Sequence, residues 1–318
     1  MNAEPWTKQA NNRLAFVFPG QGAQYVGMGR DLYDNYPTAK RIFEEADTTL
    51  GFPLSKLCFE GPESELTDTV NTQPAILSMS AACLAVLKEK TGQKLTPAFV
   101  AGHSLGEYTA LLAAGVLDFA TTLRLVRERG RVMKMAGQTQ PGAMAAVLGL
   151  DAASLQTICD EVGDVWVANY NSPGQIVLSG RKPALERALQ LARIKGAKRA
   201  ILLAVSIAAH SPLMSSAAES FAETVNGLSL SKASIPIVAN TTALPLTEPE
   251  DIRQELVRQL TSPVHWVESV HYMVAQGIRW VVEIGPKSVL SRLIKRIDPH
   301  VQTVNVGSTA DIEVWGQT

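Results

Sequence analysis

Phe99-Val100-Ala101-Gly102-His103-Ser104-Leu105-Gly106-Glu107-Tyr108-Thr109-Ala110-Leu111-Leu112-Ala113-Ala114 reads as an apolar strand, a sharp turn and a helix, in that order. The turn Gly102-His103-Ser104-Leu105-Gly106 has the form G-x-S-x-G. On such a strand-to-helix turn the serine hydroxyl is pushed out beyond the strand, and the next amide faces the same space from a helix N-terminus. Ser104 is therefore a candidate nucleophile and the Leu105 N–H a candidate oxyanion donor. The small glycines let strand and helix close up. The competing role is a tight turn whose serine only caps the helix.

The same alternation extends outward. Leu14–Phe18, Ala98–Ala101, Ile235–Ala239 and Ile278–Ile284 are strand-like, with long amphipathic stretches between them. This is the pattern of an α/β protein with a mainly parallel sheet. Pro37 opens a helix that stops near Gly51, and Pro74 opens another that stops near Gly92. Asp118 caps a third, and Ser211-Pro212 starts a fourth.

One internal segment keeps a different rhythm. Ala143–Leu150 reads as a strand, Ala152–Val162 as a helix, and Val165–Tyr170 and Gln175–Leu178 as strands flanking Asn171-Ser172-Pro173-Gly174. Pro183–Lys195 then reads as a helix and Arg199–Val205 as a strand. The order β-α-β-β-α-β is that of the ferredoxin-like unit. Further α/β elements follow, so the expected organisation is a large domain (1–139 and 207–318) interrupted by an inserted ferredoxin-like subdomain (140–206). A cleft between the two is the natural binding site.

A serine nucleophile needs a base within hydrogen-bond reach. Of five histidines, His103 is expected to pack behind the elbow. His265 and His271 lie in a helical pattern over 263–276, and His300 in a terminal loop. His210 falls at the end of an element near the domain junction, where catalytic loop residues sit; its position singles it out without excluding the others. No Asp or Glu stands out as a third triad member, which leaves a carbonyl to orient the histidine.

The helix over 118–136 carries a second signal. Arg124, Arg127, Arg131 and Lys134 form one stripe. Arg129 lies about 140° away from Arg124, among Leu125, Val126, Val132 and Met133. A buried guanidinium keeps its proton and demands an anion. Either an internal carboxylate supplies it, or a substrate carboxylate does. Phe18-Pro19-Gly20-Gln21-Gly22-Ala23-Gln24 follows the first strand but is no dinucleotide loop, because Tyr25 stands where the third glycine belongs. A glycine turn there can still offer a backbone N–H, that of Gln21, to an oxyanion.

Composition narrows the classes. The 318 residues are 46% hydrophobic and 19% charged, a globular mix. Lys+Arg 29 against Asp+Glu 30 leaves a net charge of −1, which argues against a general nucleic-acid surface. Cys58, Cys83 and Cys159 are scattered, with no metal-ligand spacing. No signal peptide is visible in the first thirteen residues, and no uninterrupted apolar stretch approaches about 20 residues. A soluble cytoplasmic protein without a metal site is expected.

Taken together, the motifs resemble a known family. Phe18–Gln24, Thr72-Gln73-Pro74, Gly102–Tyr108, Arg129 twenty-five residues after Ser104, Asn169–Gln175, Ala209–Met214 and Ile284-Gly285-Pro286 occur in the order found in malonyl-CoA:acyl-carrier-protein transacylases. That design is shared with polyketide acyltransferases, and the resemblance runs from about Arg13 to about Ile297. It implies a hydrolase-like large domain with the ferredoxin-like insertion. Ser104 would be the nucleophile and His210 its base, held by the main-chain carbonyl of Gln259. Gln21 and Leu105 amides would form the oxyanion hole. Arg129 would bind the malonyl carboxylate, while Gln73 and Asn171 would line the pocket. The implied reaction is ping-pong transfer of malonyl from malonyl-CoA to the phosphopantetheine thiol of acyl carrier protein, in a monomer with no resident cofactor, no nucleic acid and no membrane. A trans-acting polyketide enzyme with another extender such as methylmalonyl is the alternative, left open by Ala209; an acyl hydrolase and a non-catalytic docking subunit are the rivals. Because such carrier proteins are acidic, Lys287, Arg292, Lys295, Arg296, Arg181, Lys182 and Arg187 are candidates for a docking patch.

Overall fold

The computed structural model describes residues 13–92 and 95–317; the reading of the first dozen residues lies outside them. The strands are β1 (Leu14–Phe18), β2 (Phe99–Gly102), β3 (Ala143–Leu148), β4 (Val165–Ser172), β5 (Gln175–Gly180), β6 (Arg199–Leu202), β7 (Ile237–Val238), β8 (Pro245–Leu246), β9 (Trp280–Ile284) and β10 (Gln302–Val306). Six of them form a sheet in the order β10-β9-β1-β2-β7-β8, parallel except for the edge hairpin β7-β8. β1, with all five residues buried, lies inside the sheet, and so reads as a continuous apolar run. The loops that follow β1 and β2 therefore leave the same edge of the sheet side by side, where open α/β sheets place their ligands.

β3 to β6 make a separate antiparallel sheet in the order β4-β5-β3-β6. Helices Ala152–Val162 and Lys182–Ile194 complete it. This is the ferredoxin-like order, and it has a core of its own built from Val147, Leu155, Ile158, Val167, Leu178, Leu185 and Leu189. β4 is stitched to the large body through two backbone bonds, Tyr170 N–H to Val264 O at 2.9 Å and Val264 N–H to Ala168 O at 2.8 Å.

Some helix starts differ from the sequence reading. The helix expected to open at Pro74 opens at Thr69, because the Asp68 carboxylate accepts the Val70 N–H and caps it five residues earlier. Pro74 sits inside this 22-residue helix, Thr69–Lys90. It is long and apolar enough to cross a membrane by length and composition, but 83% of its apolar window is buried inside the protein, as in a core helix. Asp118 does cap its helix, Phe119–Thr139, by accepting the Thr121 N–H at 2.7 Å. Pro212–Met214 forms a 3₁₀ turn ahead of the helix Ser215–Asn226. β10 carries little strand signal in the sequence, because three of its five residues are only half-buried and Gln-Thr-Val-Asn-Val is largely polar.

The two long helices touch at Gly130. A Cβ there would lie 2.8 Å from the Thr69 carbonyl oxygen, so only glycine allows the approach. The contact brings Arg129 up against the first turns of the Thr69–Lys90 helix. The elbow closes in the same way: a Cβ on Gly102 would stand 1.9 Å from the Gly106 carbonyl carbon.

Candidate active site

Ser104 has φ 51°, the left-handed conformation that a nucleophile elbow imposes on a non-glycine residue. Its Oγ lies 2.8 Å from His210 Nε2. His210 is also left-handed, at φ 59°, and its amide donates to Leu260 O. His210 Nδ1–H donates to two carbonyls, Gln259 O at 2.8 Å and Ser262 O at 3.2 Å. Two carbonyl acceptors require the proton on Nδ1, which leaves Nε2 bare to accept from the serine hydroxyl. Burial, and then the nearby Arg129 charge, push His210 down to about 3, so at neutral pH it is an uncharged base.

Arg129 is 2% exposed. Nη1 donates to Gln73 Oε1 at 2.9 Å, and Nη2 to Gln259 Oε1 at 2.9 Å and to Ser104 Oγ at 3.1 Å. The guanidinium carbon also lies 5.3 Å from the centre of the Tyr108 ring, and Nε has no hydrogen-bond partner among the described residues. No carboxylate among the described residues is within ion-pair distance of Arg129. The internal ion pair that the sequence left open is thus not made. The cation is held by neutral oxygens and retains its demand for an anion.

Gln21, Leu105, His103, Ser104, Arg129 and His210 from the large body line one cleft with Met144, Asn169, Asn171 and Val177 from the antiparallel sheet. The cleft is open to solvent, and together with its mouth it holds about 750 Å³ not filled by protein atoms. Neither the Gln21 N–H nor the Leu105 N–H is taken by a protein acceptor among the described residues.

Two placements differ from expectation. Gln73 does not line the cleft: it is fully buried behind the guanidinium, with Nε2 donating to Thr69 Oγ1, because the earlier helix start turns it toward Arg129. His103 does not pack behind the elbow. Its Nε2–H donates to Asn171 Oδ1 at 2.8 Å, and its ring stands edge-on to Trp266 with centroids 5.8 Å apart. It bridges the cleft. Bulges in β4 on either side of Asn169-Tyr170 aim Asn169 and Asn171 into the same space.

Sequence reasoning missed the polar frame beneath these groups. The Gln259 side chain, and not only its carbonyl, belongs to the site: Oε1 accepts from Arg129, and Nε2 donates to Ser104 O at 3.0 Å and to Glu107 Oε2. Glu107 is buried within the elbow helix, and burial, with Glu255 nearby, raises its pKa well above the usual carboxylate range. A glutamate on the apolar face of a core helix was the signal that could have found it.

Residues 15–310 match the family model of the acyl transferase domain. The chain is 46% identical over 311 residues to a malonyl CoA-acyl carrier protein transacylase of Bacillus subtilis, covering 96% of this chain and 97% of that one. It is 46% identical over 288 residues to the protein of that name from Escherichia coli, covering 90% and 93%. Among solved structures, it is similar to a malonyl-transacylase in complex with its type II PKS acyl-carrier protein (TM-score 0.92, 43% identity, 96% and 99% coverage). It is similar also to an acyl carrier protein S-malonyltransferase from Vibrio cholerae (TM-score 0.90, 42% identity, 95% and 99% coverage). With the fold, the serine–histidine pair and these likenesses in agreement, the chain belongs to the acyl transferase family, among the malonyl CoA-acyl carrier protein transacylases.

Proposed function

We propose that this enzyme transfers a malonyl group from malonyl-CoA to the phosphopantetheine thiol of acyl carrier protein through a malonyl ester on Ser104. The observation that carries the reading is Arg129: a buried cation with only neutral protein partners, one hydrogen bond away from the nucleophile. A malonyl group attached at Ser104 has its free carboxylate at the far end of a three-carbon acyl chain, within reach of that guanidinium. Charge-assisted bonds of this kind contribute about 1.5–3 kcal/mol each. An acetyl group leaves the cation unmatched.

His210 Nε2 takes the Ser104 proton as Oγ attacks the thioester carbonyl, and the Gln21 and Leu105 amides receive the developing oxyanion. Collapse breaks the carbon–sulfur bond, and coenzyme A leaves with the proton from His210. In the second half the carrier's thiol gives its proton to His210 and attacks the ester. Ser104 departs with that proton. The Gln259 and Ser262 carbonyls hold the imidazole in the required tautomer throughout.

Acyl carrier protein is the macromolecular partner, met by a local basic surface. Lys182 and Arg187 are exposed with no ion-pair partner among the described residues, and are the freest of the seven candidates. Arg181 pairs with Asp164, Lys287 Nζ donates to Gly22 O and Gln24 O, and Arg296 donates to Gln175 Oε1 across the two bodies. The same reading has the enzyme acting as a cytoplasmic monomer without a resident cofactor or metal, and without contact to nucleic acid or membrane. Ala209 lines the cleft beside the base, so methylmalonyl-CoA belongs in the test. Purified protein, several acyl-CoAs and phosphopantetheinylated carrier protein are mixed and the carrier weighed by mass spectrometry. Malonyl-carrier is the expected product; free malonate with an unmodified carrier would overturn the reading in favour of a hydrolase.

A further inference from the structure

β7 stops at Val238, opposite Ala101, while its neighbour β2 runs on to Gly102 and into the elbow. From Gly102 onward the elbow has lost its ladder partner on that side. The Asn240 carboxamide occupies the vacated place. Its Oδ1 accepts the Ser104 N–H at 2.7 Å, and its Nδ2 donates to Gly102 O at 2.7 Å. One acceptor and one donor, in that arrangement, are what a further backbone peptide of β7 would have offered.

The turn bearing Asn240 is itself held by hydrogen bonds. Glu107 Oε1 accepts the Asn240 N–H at 2.9 Å, and Glu255 accepts both the N–H and the hydroxyl of Thr241. The Asn240 carbonyl accepts the His265 N–H at 2.8 Å. Two buried carboxyl groups hold two consecutive residues, and burying such polar groups is costly unless they are hydrogen-bonded as these are. Glu107 also accepts from the Gln259 amide that supports Arg129, so the turn, the elbow and the carboxylate-binding cation share one hydrogen-bonded frame.

We propose that Asn240 is a positioning residue for the acyl transfer: its carboxamide replaces the missing ladder peptide and holds Ser104 in the left-handed conformation that aims Oγ at His210 and the Leu105 N–H at the oxyanion. The proposal rests on Ser104 being the nucleophile. It assigns Asn240 no contact with the acyl group, so loss of the clamp acts on the rate of acylation and leaves recognition of the malonyl end intact.

The test is single-turnover acylation of Asn240→Ala and the near-isosteric Asn240→Asp by malonyl-CoA, with the folded fraction measured by circular dichroism under the same conditions. The expected result is a roughly 10²-fold fall in the acylation rate constant per folded molecule, with KM for malonyl-CoA and the malonyl:acetyl ratio unchanged. N240D keeps the shape but sets a carboxylate oxygen against Gly102 O; it keeps the test decisive if N240A does not fold. Labelling of Ser104 by a fluorophosphonate, which ignores the malonyl end, falls in parallel. Full acylation rates per folded molecule in both variants, or a KM rise that accounts for the loss, would overturn the proposal. A wild-type protein that neither acylates nor labels at Ser104 would instead overturn the proposed function on which it rests.

Discussion

The two sheets contribute unequally to the cleft between them. From the parallel sheet and its helices come Ser104, His210, Arg129 and the two free amides, with two of these residues in left-handed backbone. From the antiparallel sheet come Met144, Asn169, Asn171 and Val177, which carry no charge. Parallel strands end together on one edge, so their loops converge and can be strained against a common frame. The antiparallel sheet presents a flank instead, with bulges in β4 to adjust it. The hydroxyl, imidazole and guanidinium thus all belong to one body, while the antiparallel sheet lines the cleft with uncharged side chains.

Ser104→Ala and His210→Ala are each expected to lower malonyl transfer by about 10⁴-fold or more, and together by little more than either alone, as for residues that act as a unit. Rapid-quench kinetics on all three variants measure this, and independent, multiplying losses would contradict a single serine–histidine unit.

The buried base has a thermodynamic signature as well. Its folded pKa is depressed by burial and by Arg129, whereas an unfolded histidine titrates near 6.5. The unfolded state therefore takes up a proton that the folded state refuses. The stabilising contribution is whole above pH 6.5 and is lost as pH falls toward 3. Against His210→Gln, wild-type unfolding free energy should drop by up to about 1.4 kcal/mol per pH unit in this window. Denaturant titrations from pH 7 to pH 4 read it; parallel curves for the two proteins would mean that the imidazole is not buried uncharged.

Smaller effects separate the two bodies. Gln73→Ala frees one arm of the guanidinium and should raise KM for malonyl-CoA about tenfold, with the acylation rate at saturation nearly kept. Asn171→Ala removes only the wall contact to His103 and should cost about threefold in kcat/KM, equally for malonyl and acetyl donors. If Asn171→Ala changed the malonyl:acetyl ratio and Gln73→Ala did not, acyl recognition would have to be moved to the antiparallel sheet.

Much of this was legible in the residues. The elbow, the inserted β-α-β-β-α-β rhythm and the inward angle of Arg129 are local periodicities, and each appears in the structure where the spacing placed it. What escaped reading is long-range. The partners of Arg129 come from three separate helices or loops, at Gln73, Ser104 and Gln259. Asn240 matters because β7 ends one rung early, and strand ends are set by tertiary pairing rather than by propensity. Pro74 predicts a helix start, but a proline marks one only when no stronger cap precedes it, and Asp68 does. The place of His103 beside the serine predicts a ring packed behind the elbow, but Asn171, sixty-eight residues away, holds that ring across the cleft.

Equimolar malonyl-CoA and acetyl-CoA, offered without carrier protein to wild type and to Arg129→Ala, followed by weighing the peptide that contains Ser104, tests the account most directly. The expected result is a malonyl ester on Ser104 in wild type and a predominantly acetyl ester in R129A. The same malonyl:acetyl ratio in both proteins, or an acyl group on any other residue, would contradict it.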